Sequence, residues 1–170
     1  MPRAGGAKGR RPDRLVVRPA RPDDAAAISA VIRQFSREDG YDSPITAAGL
    51  EELAFGISPR VRVILAEQGQ TLAGYVLYYP SFDTDHAARG FYLQDVYVRP
   101  EARGQGIGRA LMAAAARRCL EDGGLYLFWN ALETNNAGRA FYRAIGAVEE
   151  PVVTLSLQPE ALRALADEES

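Results

Sequence analysis

The residues with the clearest chemistry form a glycine-rich loop. The stretch Arg103-Gly104-Gln105-Gly106-Ile107-Gly108 follows an alternating, aromatic run, Phe91 to Val98, and precedes a run with helical spacing, Arg109 to Leu120. Such a loop presents free backbone N–H groups and the positive end of a helix dipole to whatever lies in front of it. Glycine lets a ligand approach because it has no Cβ. The loop therefore predicts an anion site, and phosphate is the anion that fits best.

Two other phosphate loops have a different spacing. A Walker loop has Lys and then Ser or Thr after its last glycine, whereas this chain has Arg109-Ala110. A dinucleotide-binding loop has G-x-G-x-x-G, whereas this chain has G-x-G-x-G, and no acidic residue ends a second strand about 20 positions later. What remains is R-x-x-G-x-G after a strand, or a connector that binds no ligand.

Length and composition exclude several classes of protein. The chain has 170 residues, 47% hydrophobic and 25% charged, which is ordinary for one globular domain. No apolar run approaches the roughly 18 residues that span a bilayer, so no membrane partner is expected. The single cysteine, Cys119, lies on an apolar helix face, and a chain with one cysteine suits a reducing cytoplasm. One histidine and one cysteine argue against a protein-built metal site.

The N-terminal residues differ from the rest of the chain. Residues 1–14 carry five cations and one acid without periodicity, so we expect a disordered basic tail and a single domain over 15–170. Subtracting the +4 of this tail from the formal charge of -2 leaves -6 on the body. An acidic protein binds nucleic acids poorly and is better suited to binding a cationic small molecule.

Hydrophobic periodicity divides the body into strands and helices. Strands are predicted at residues 15–19, 61–67, 71–79, 91–98, 125–132 and 152–157. Helices are predicted at residues 22–36, 47–55, 109–120 and 135–145, and in a short segment from Pro159. Thr46 is the predicted N-cap of the second helix, and residues 81–90 are predicted to be a loop. This order predicts an α/β fold, with a mixed sheet and helices on both faces.

The loop and the element order resemble the GNAT N-acetyltransferases over about residues 16–157. Within that superfamily the chain is similar to the branch of diamine (spermidine/spermine) and thialysine acetyltransferases. The similarity lies in Val17-Arg18-Pro19-Ala20 with Asp24, Glu51 to Gly56, Gly74 to Tyr79, Tyr92 to Asp95, and Asn135 to Ala147. It implies the GNAT fold, a mixed, mostly antiparallel central sheet of about six to seven strands flanked by helices on both faces.

The resemblance implies acetyl-CoA as co-substrate. The loop amides would hold the pyrophosphate, backbone N–H groups of the preceding strand would face the thioester oxygen, and the next helix start would contact the pantetheine arm. The residues implied are Val96, Tyr97, Val98, Arg103, Gly104, Gln105, Gly106, Ile107, Gly108, Arg109, Asn135 and Tyr142. The Arg103 and Arg109 side chains are equally consistent with surface charge, and Asn135 with a helix cap alone.

Acetyl transfer to an amine also needs a base and an acid. A primary alkylamine has a pKa near 10 and arrives protonated at pH 7. By resemblance, Tyr142 protonates the leaving thiolate; the alternative is a core tyrosine. The branch carries Glu-Asp where this chain has Gln94-Asp95, and an amide cannot take the proton. Simple alternation places these two side chains on opposite faces, although a bulge, as in the family, would redirect one.

The missing glutamate leaves three alternatives for the base. In the first, Asp95 or a water chain accepts the proton. In the second, another group takes the place of the glutamate, such as Asp39, Asp83, His86 or Glu133. In the third, the protein acts on a different amine substrate or is a slow enzyme. Asp83 matches an acidic position of the branch and is the best candidate for holding a distal ammonium. The expected acceptor site comprises Asp39, Asp83, Gln94, Asp95 and Glu133.

Taken together, the residues and the resemblance predict direct acetyl transfer to a primary amine of a small molecule, polyamine or thialysine-like. The alternative acceptors are an aminoglycoside, an amino acid and a protein amine. The alternative to an enzyme is a catalytically silent acetyl-CoA-binding homologue. A homodimer is expected by resemblance, since relatives pair through their C-terminal strands, and no nucleic-acid partner is expected.

Overall fold

The computed structural model describes residues 14–168. They fall into two compact units, which divide between Asn130 and Ala131. The expected basic tail lies outside the described residues, apart from Arg14. Within residues 14–168 no helix is both long enough and apolar enough to cross a lipid bilayer.

The first unit is built on a five-stranded sheet. Its strands are β1 (Leu15–Pro19), β2 (Arg62–Gln68), β3 (Thr71–Asp83), β4 (Ala88–Val98) and β5 (Tyr126–Phe128), arranged in chain order. All neighbouring strands are antiparallel except β4 and β5, which are parallel. The mixed, mostly antiparallel sheet is confirmed, with five strands in the described residues in place of the expected six to seven.

Helices cover both faces of this sheet, as predicted. One face is covered by α1 (Ala25–Glu38), which follows a 3₁₀ turn at Pro22–Asp24, and by α2 (Ala47–Phe55). The core under α1 and α2 contains the buried residues Ile28, Val31, Ile32, Leu50, Val63, Leu65, Tyr75, Leu77 and Tyr97. The other face is covered by α3 (Ile107–Glu121), whose buried residues are Ile107, Leu111, Met112, Ala115 and Cys119. The predicted N-cap Thr46 accepts a hydrogen bond from the Gly49 N–H at 3.0 Å.

Two predicted boundaries in the first unit are wrong. Residues 81–90 were expected to be a loop, but β3 runs to Asp83 and β4 starts at Ala88, since these two residues pair across a tight hairpin. Pairing with a neighbouring strand outweighs the polar composition of the segment. The strand expected at 125–132 is only Tyr126–Phe128, because β5 follows β4 for three residues and then stops pairing with it.

The second unit contains α4 (Asn136–Ala144) and α5 (Pro159–Ala166), close to the predicted bounds. The strand predicted at residues 152–157 is wrong, because residues 151–158 have no regular secondary structure. Val153 and Leu155 are 84% and 87% exposed. A β-branched sequence favours an extended backbone, but a strand forms only where a neighbouring strand completes the hydrogen bonds.

The backbones of β3 and β4 approach each other closely at Gly74, and a substitution there tests this packing. A Cβ at this position would lie 2.5 Å from the Tyr97 carbonyl oxygen and 3.2 Å from the Leu111 side chain. We predict that Gly74→Ala lowers the free energy of unfolding by about 1–3 kcal/mol, because backbone atoms must shift. Urea unfolding measures the change. Gly49→Ala is the matched control in α2, and an equal loss in both variants would contradict the prediction.

Candidate active site

The glycine-rich loop has the backbone conformation that its sequence predicts. Gly104 and Gly106 have φ values of +74° and +79°, in the left-handed region that favours glycine. Gly106 is the N-cap of α3, which begins at Ile107, two residues before the predicted start. The N–H groups of the first turn of this helix therefore point toward the loop.

The loop has the open geometry that an anion site requires. A Cβ placed on Gly104 or Gly106 would meet no described atom within 4 Å, so the space beside both glycines is open. Every loop residue from Arg103 to Gly106 is exposed, while Ile107 is buried and anchors the helix start in the core. An open turn with backbone donors and a helix dipole is suited to a negatively charged group.

The Arg103 side chain is held by neighbours within the first unit. Its Nε donates to the Val98 carbonyl oxygen at 2.9 Å, and its Nη2 donates to Glu38 Oε2 at 3.0 Å. Glu38, at the C-terminal end of α1, also accepts a hydrogen bond from the Tyr97 hydroxyl. Sequence reasoning missed Glu38, since 65 positions separate it from Arg103 and no motif joins the two.

Strand β4 extends past the end of its pairing with β5. The last β4–β5 pair is Tyr92 with Phe128, whereas β4 continues to Val98. The Arg99 N–H donates to the Ala73 carbonyl oxygen on the β3 side at 2.9 Å. Because N–H directions alternate in an antiparallel ladder, the N–H groups of Val96 and Val98 point away from β3. They lie on the edge of β4 that β5 has left open.

A β-bulge sets the direction of the side chains just before this open edge. Along β4, Leu93 is paired with Tyr78 and Asp95 with Leu77, so Gln94 is an extra residue. Leu77 belongs to the core under α1 and α2, so its partner Asp95 lies on that face. Leu93 lies on the α3 face, and Gln94 alternates back to the face of Asp95. The two side chains share one face because the bulge overrides simple alternation.

Asp95 is the carboxylate of this face, and its surroundings favour a proton acceptor. Burial raises its pKa above the ordinary value, and the negative charge of Asp39 raises it further. The Tyr75 hydroxyl donates to Asp95 Oδ2 at 3.0 Å and opposes the rise. Tyr75 is fully buried, which raises its own pKa and keeps it a phenol donor. In the sequence, Tyr75 is only part of a stretch that resembles the family, and no motif predicts its contact with Asp95, 20 positions away.

Asp83 and His86 lie at the other end of the β3–β4 hairpin. Asp83 pairs with Ala88, so about 20 Å of strand separates it from Asp95. Its carboxylate is bonded to His86 Nδ1 at 2.9 Å and to the backbone N–H groups of Asp85 and His86. The His86 contact lowers the pKa of Asp83. The structure brings Asp39 near Asp95, but it does not bring Asp83 or His86 there.

The second unit carries three further residues predicted for the site. Asn135 caps α4, since its Oδ1 accepts from the Gly138 N–H at 2.9 Å. Tyr142 lies on α4 with its ring centroid 5.3 Å from that of Phe141, and burial raises the pKa of its phenol. Because burial raises its pKa, Tyr142 stays protonated at neutral pH. The backbone oxygen of Glu133 accepts from Arg139 at 2.9 Å, and the Glu133 side chain is exposed.

Comparison with known proteins identifies the family. Residues 28–147 match the acetyltransferase (GNAT) family, which uses acetyl-CoA. The chain belongs to this family. It is an N-acetyltransferase. A thialysine N-epsilon-acetyltransferase from Bos taurus is 31% identical over 166 residues, covering 89% of this chain and 97% of the relative.

Solved structures share the fold of this N-acetyltransferase. An integron cassette protein from the mobile metagenome of V. cholerae has a TM-score of 0.77 and 23% identity, covering 91% of this chain and 98% of its own. The aminoglycoside N-acetyltransferase AAC(6')-Iy, in complex with CoA, has a TM-score of 0.73 and 14% identity, covering 88% and 97%. These likenesses confirm the GNAT fold.

The Tyr75–Asp95 contact gives a testable pH dependence. We predict that Tyr75→Phe moves the lower break in the pH profile of kcat/KM upward by about one pH unit, because the Asp95 carboxylate loses its donor. The profile is measured with a primary amine acceptor. Tyr79→Phe, which removes a hydroxyl from the partly exposed neighbour of Tyr92, is the control. An unmoved break in Tyr75→Phe would mean that Asp95 does not set it.

Proposed function

We propose that the protein transfers an acetyl group from acetyl-CoA directly to a primary amine of a small molecule, with a thialysine-like or polyamine acceptor. The observation that carries this proposal is the bulge at Gln94. It turns Asp95 onto the face it shares with Gln94, immediately before the N–H groups of Val96 and Val98, which pair with neither β3 nor β5. A proton acceptor and oxyanion donors thus follow one another along one strand.

The donor site in this proposal is the loop together with the open edge of β4. Acetyl-CoA supplies a thioester whose carbonyl carbon accepts the amine. In this proposal backbone N–H groups of the loop bind the pyrophosphate, from Gly104 through Gln105, Gly106, Ile107 and Gly108 to Arg109. The Arg103 backbone N–H donates to the Pro100 carbonyl oxygen at 3.2 Å, so Arg103 contributes its side chain. Val96 and Val98 donate to the carbonyl oxygen as negative charge develops there, and Tyr97 anchors the strand from the core face.

Asp95 is the proposed base. An ammonium near pKa 10 must lose a proton before it attacks, and a carboxylate with a raised pKa accepts that proton better than an ordinary one. The proton passes directly or through a water chain. Gln94 keeps the shape of the branch's glutamate and contributes an amide, which orients the acceptor without taking its proton.

Tyr142 is the proposed acid. Breaking the C–S bond leaves a thiolate, and a nearby phenol protonates it at a modest cost in free energy, because the ordinary pKa values of thiol and phenol, about 8.5 and 10, lie close together. Burial raises the pKa of Tyr142, so the proton is present throughout the neutral range. Asn135 fixes the start of the same helix and is proposed to contact the pantetheine arm.

The carboxylates favour a short acceptor. Asp39 is close enough to Asp95 for its charge to raise the pKa of that carboxyl. It is proposed to bind the rest of a small amine, with Glu133 as a further candidate. Asp83 is about 20 Å of strand away, so it contributes only to a long polyamine. The thialysine acetyltransferases among the relatives agree with a short amino-acid-like acceptor.

The test is thiol release from acetyl-CoA against thialysine, lysine, putrescine, spermidine and an aminoglycoside, from about pH 6 to 10. We predict turnover on thialysine or a polyamine. Asp95→Asn should lower kcat by about 10² or more while the fold is kept, because asparagine still accepts from Tyr75. Gln94→Glu should raise the rate on polyamines by restoring a carboxylate.

The possible outcomes separate the alternatives. Binding of acetyl-CoA without turnover on any amine would favour the silent homologue and contradict the enzyme proposal. Turnover of the aminoglycoside alone would contradict the proposed thialysine-like or polyamine acceptor and favour an aminoglycoside acceptor. His86→Asn is the matched control, since His86 is exposed and bonded within its own loop. A loss in His86→Asn equal to that in Asp95→Asn would contradict the role of Asp95.

The proposal includes a single domain over residues 15–170, a homodimer and a cytoplasmic location. The exposed apolar residues of the segment 152–157 support a dimer, because a partner strand would bury them. A free, buried Cys119 agrees with a reducing compartment.

We predict that Val153→Asp raises the dimer dissociation constant about tenfold or more, since a carboxylate replaces an apolar contact. Sedimentation of the purified protein at several concentrations measures it. Leu120→Asp, an exposed position of α3, is the control. A wild-type monomer, or an unchanged dimer in the variant, would contradict the prediction.

A further inference from the structure

Three contacts link the end of α1 to the beginning of the glycine-rich loop. Glu38 accepts from Arg103 with one carboxylate oxygen and from the Tyr97 hydroxyl with the other. Arg103 also donates from Nε to the carbonyl oxygen of Val98, the last residue of β4. One carboxylate thus connects α1, β4 and the loop within the first unit.

The contacts fix the Arg103 guanidinium on two sides. Its Nε and Nη2 are used, while among residues 14–168 no partner contacts Nη1. The guanidinium carbon lies 5.8 Å from the centroid of the Tyr97 ring, and that ring is stacked on Phe35 of α1 at 4.9 Å. Arg103 is therefore held in one orientation at the entrance to the loop, although it is 55% exposed.

An arginine held in this way is suited to an anion. Its unused Nη1 carries two N–H donors on a group that is always charged, next to the backbone donors of the loop. A free arginine side chain on a surface would lose rotamer freedom when it bound phosphate. Contacts that restrict the side chain beforehand remove part of that cost.

We propose that Glu38 is a positioning residue for the acetyl-CoA site, which it serves by holding Arg103 against β4. This inference rests on the proposed function, because it takes the loop to be the pyrophosphate site. In this proposal Glu38 acts through Arg103 and contacts neither substrate. The charge of the adjacent residue, Asp39, raises the pKa of Asp95. In this proposal the end of α1 therefore serves the donor site with Glu38 and the acceptor site with Asp39.

The experiment compares acetyl-CoA with S-acetylpantetheine, which has the same thioester but lacks the pyrophosphate. We expect Glu38→Gln to weaken acetyl-CoA binding about two- to tenfold, measured by calorimetry and as KM, with kcat nearly unchanged. Binding of S-acetylpantetheine should not change. A general loss of structure would weaken both donors, so this comparison separates positioning from folding.

A double-variant cycle tests whether the effect passes through Arg103. Glu38→Gln should have no further effect in an Arg103→Gln background, and Glu38→Asp should restore part of the affinity. Tyr97→Phe removes one donor to Glu38 and keeps the ring, so it should give a smaller loss of the same kind. Glu121→Gln, which breaks a 4.0 Å ion pair with Arg118 on α3, is the matched control.

The outcomes distinguish this inference from the function on which it rests. Wild-type protein that does not bind acetyl-CoA would overturn the proposed function. Wild-type protein that binds it while Glu38→Gln binds equally well, or more tightly, would overturn only the role of Glu38. Tighter binding would mean that Glu38 competes with phosphate for Arg103. Equal losses for acetyl-CoA and S-acetylpantetheine would also overturn it, since the pyrophosphate would then not be involved.

Discussion

The antiparallel ladder between β3 and β4 is the constraint on which the rest of the site depends. It is continuous from Gly74 to Asp83 except for one extra residue, Gln94, and the close approach at Gly74 fixes where the ladder begins. One extra residue reverses the alternation of side chains for the remainder of β4. Without it, Asp95 would face α3, away from Tyr75 and Asp39.

The same strand leaves its other edge open. Strand β5 pairs with β4 over three residues and then stops, while β4 continues to the loop. A longer β5 would accept hydrogen bonds from the N–H groups on this edge. Because β5 stops, these backbone donors are available to a ligand. In the proposed reaction these donors face the carbonyl oxygen of the thioester, and no side chain reveals them in the sequence.

Electrostatics divides the acids near the site into two groups. Glu38 is paired with Arg103 and accepts from the Tyr97 hydroxyl. Burial and the negative charge of Asp39 raise the pKa of Asp95, although the Tyr75 hydroxyl donates to it. A raised carboxyl pKa means that protonation favours the folded state, and that the contribution of this group to stability is lost as the pH rises through the folded-state pKa. We propose that this cost in stability at neutral pH accompanies a role of Asp95 as proton acceptor.

The sequence alone determined the helices, the glycine-rich loop and the family, because each depends on local pattern. Helical spacing, the cap at Thr46 and the glycines at 104 and 106 act over a few residues. Only the tertiary structure decided which face of the sheet Asp95 lies on, that Tyr75 donates to it, and that Glu38 pairs with Arg103. These features depend on strand register and on contacts between segments that are distant in sequence. The segment 152–157 has the composition of a strand, and only a neighbouring strand could make it one.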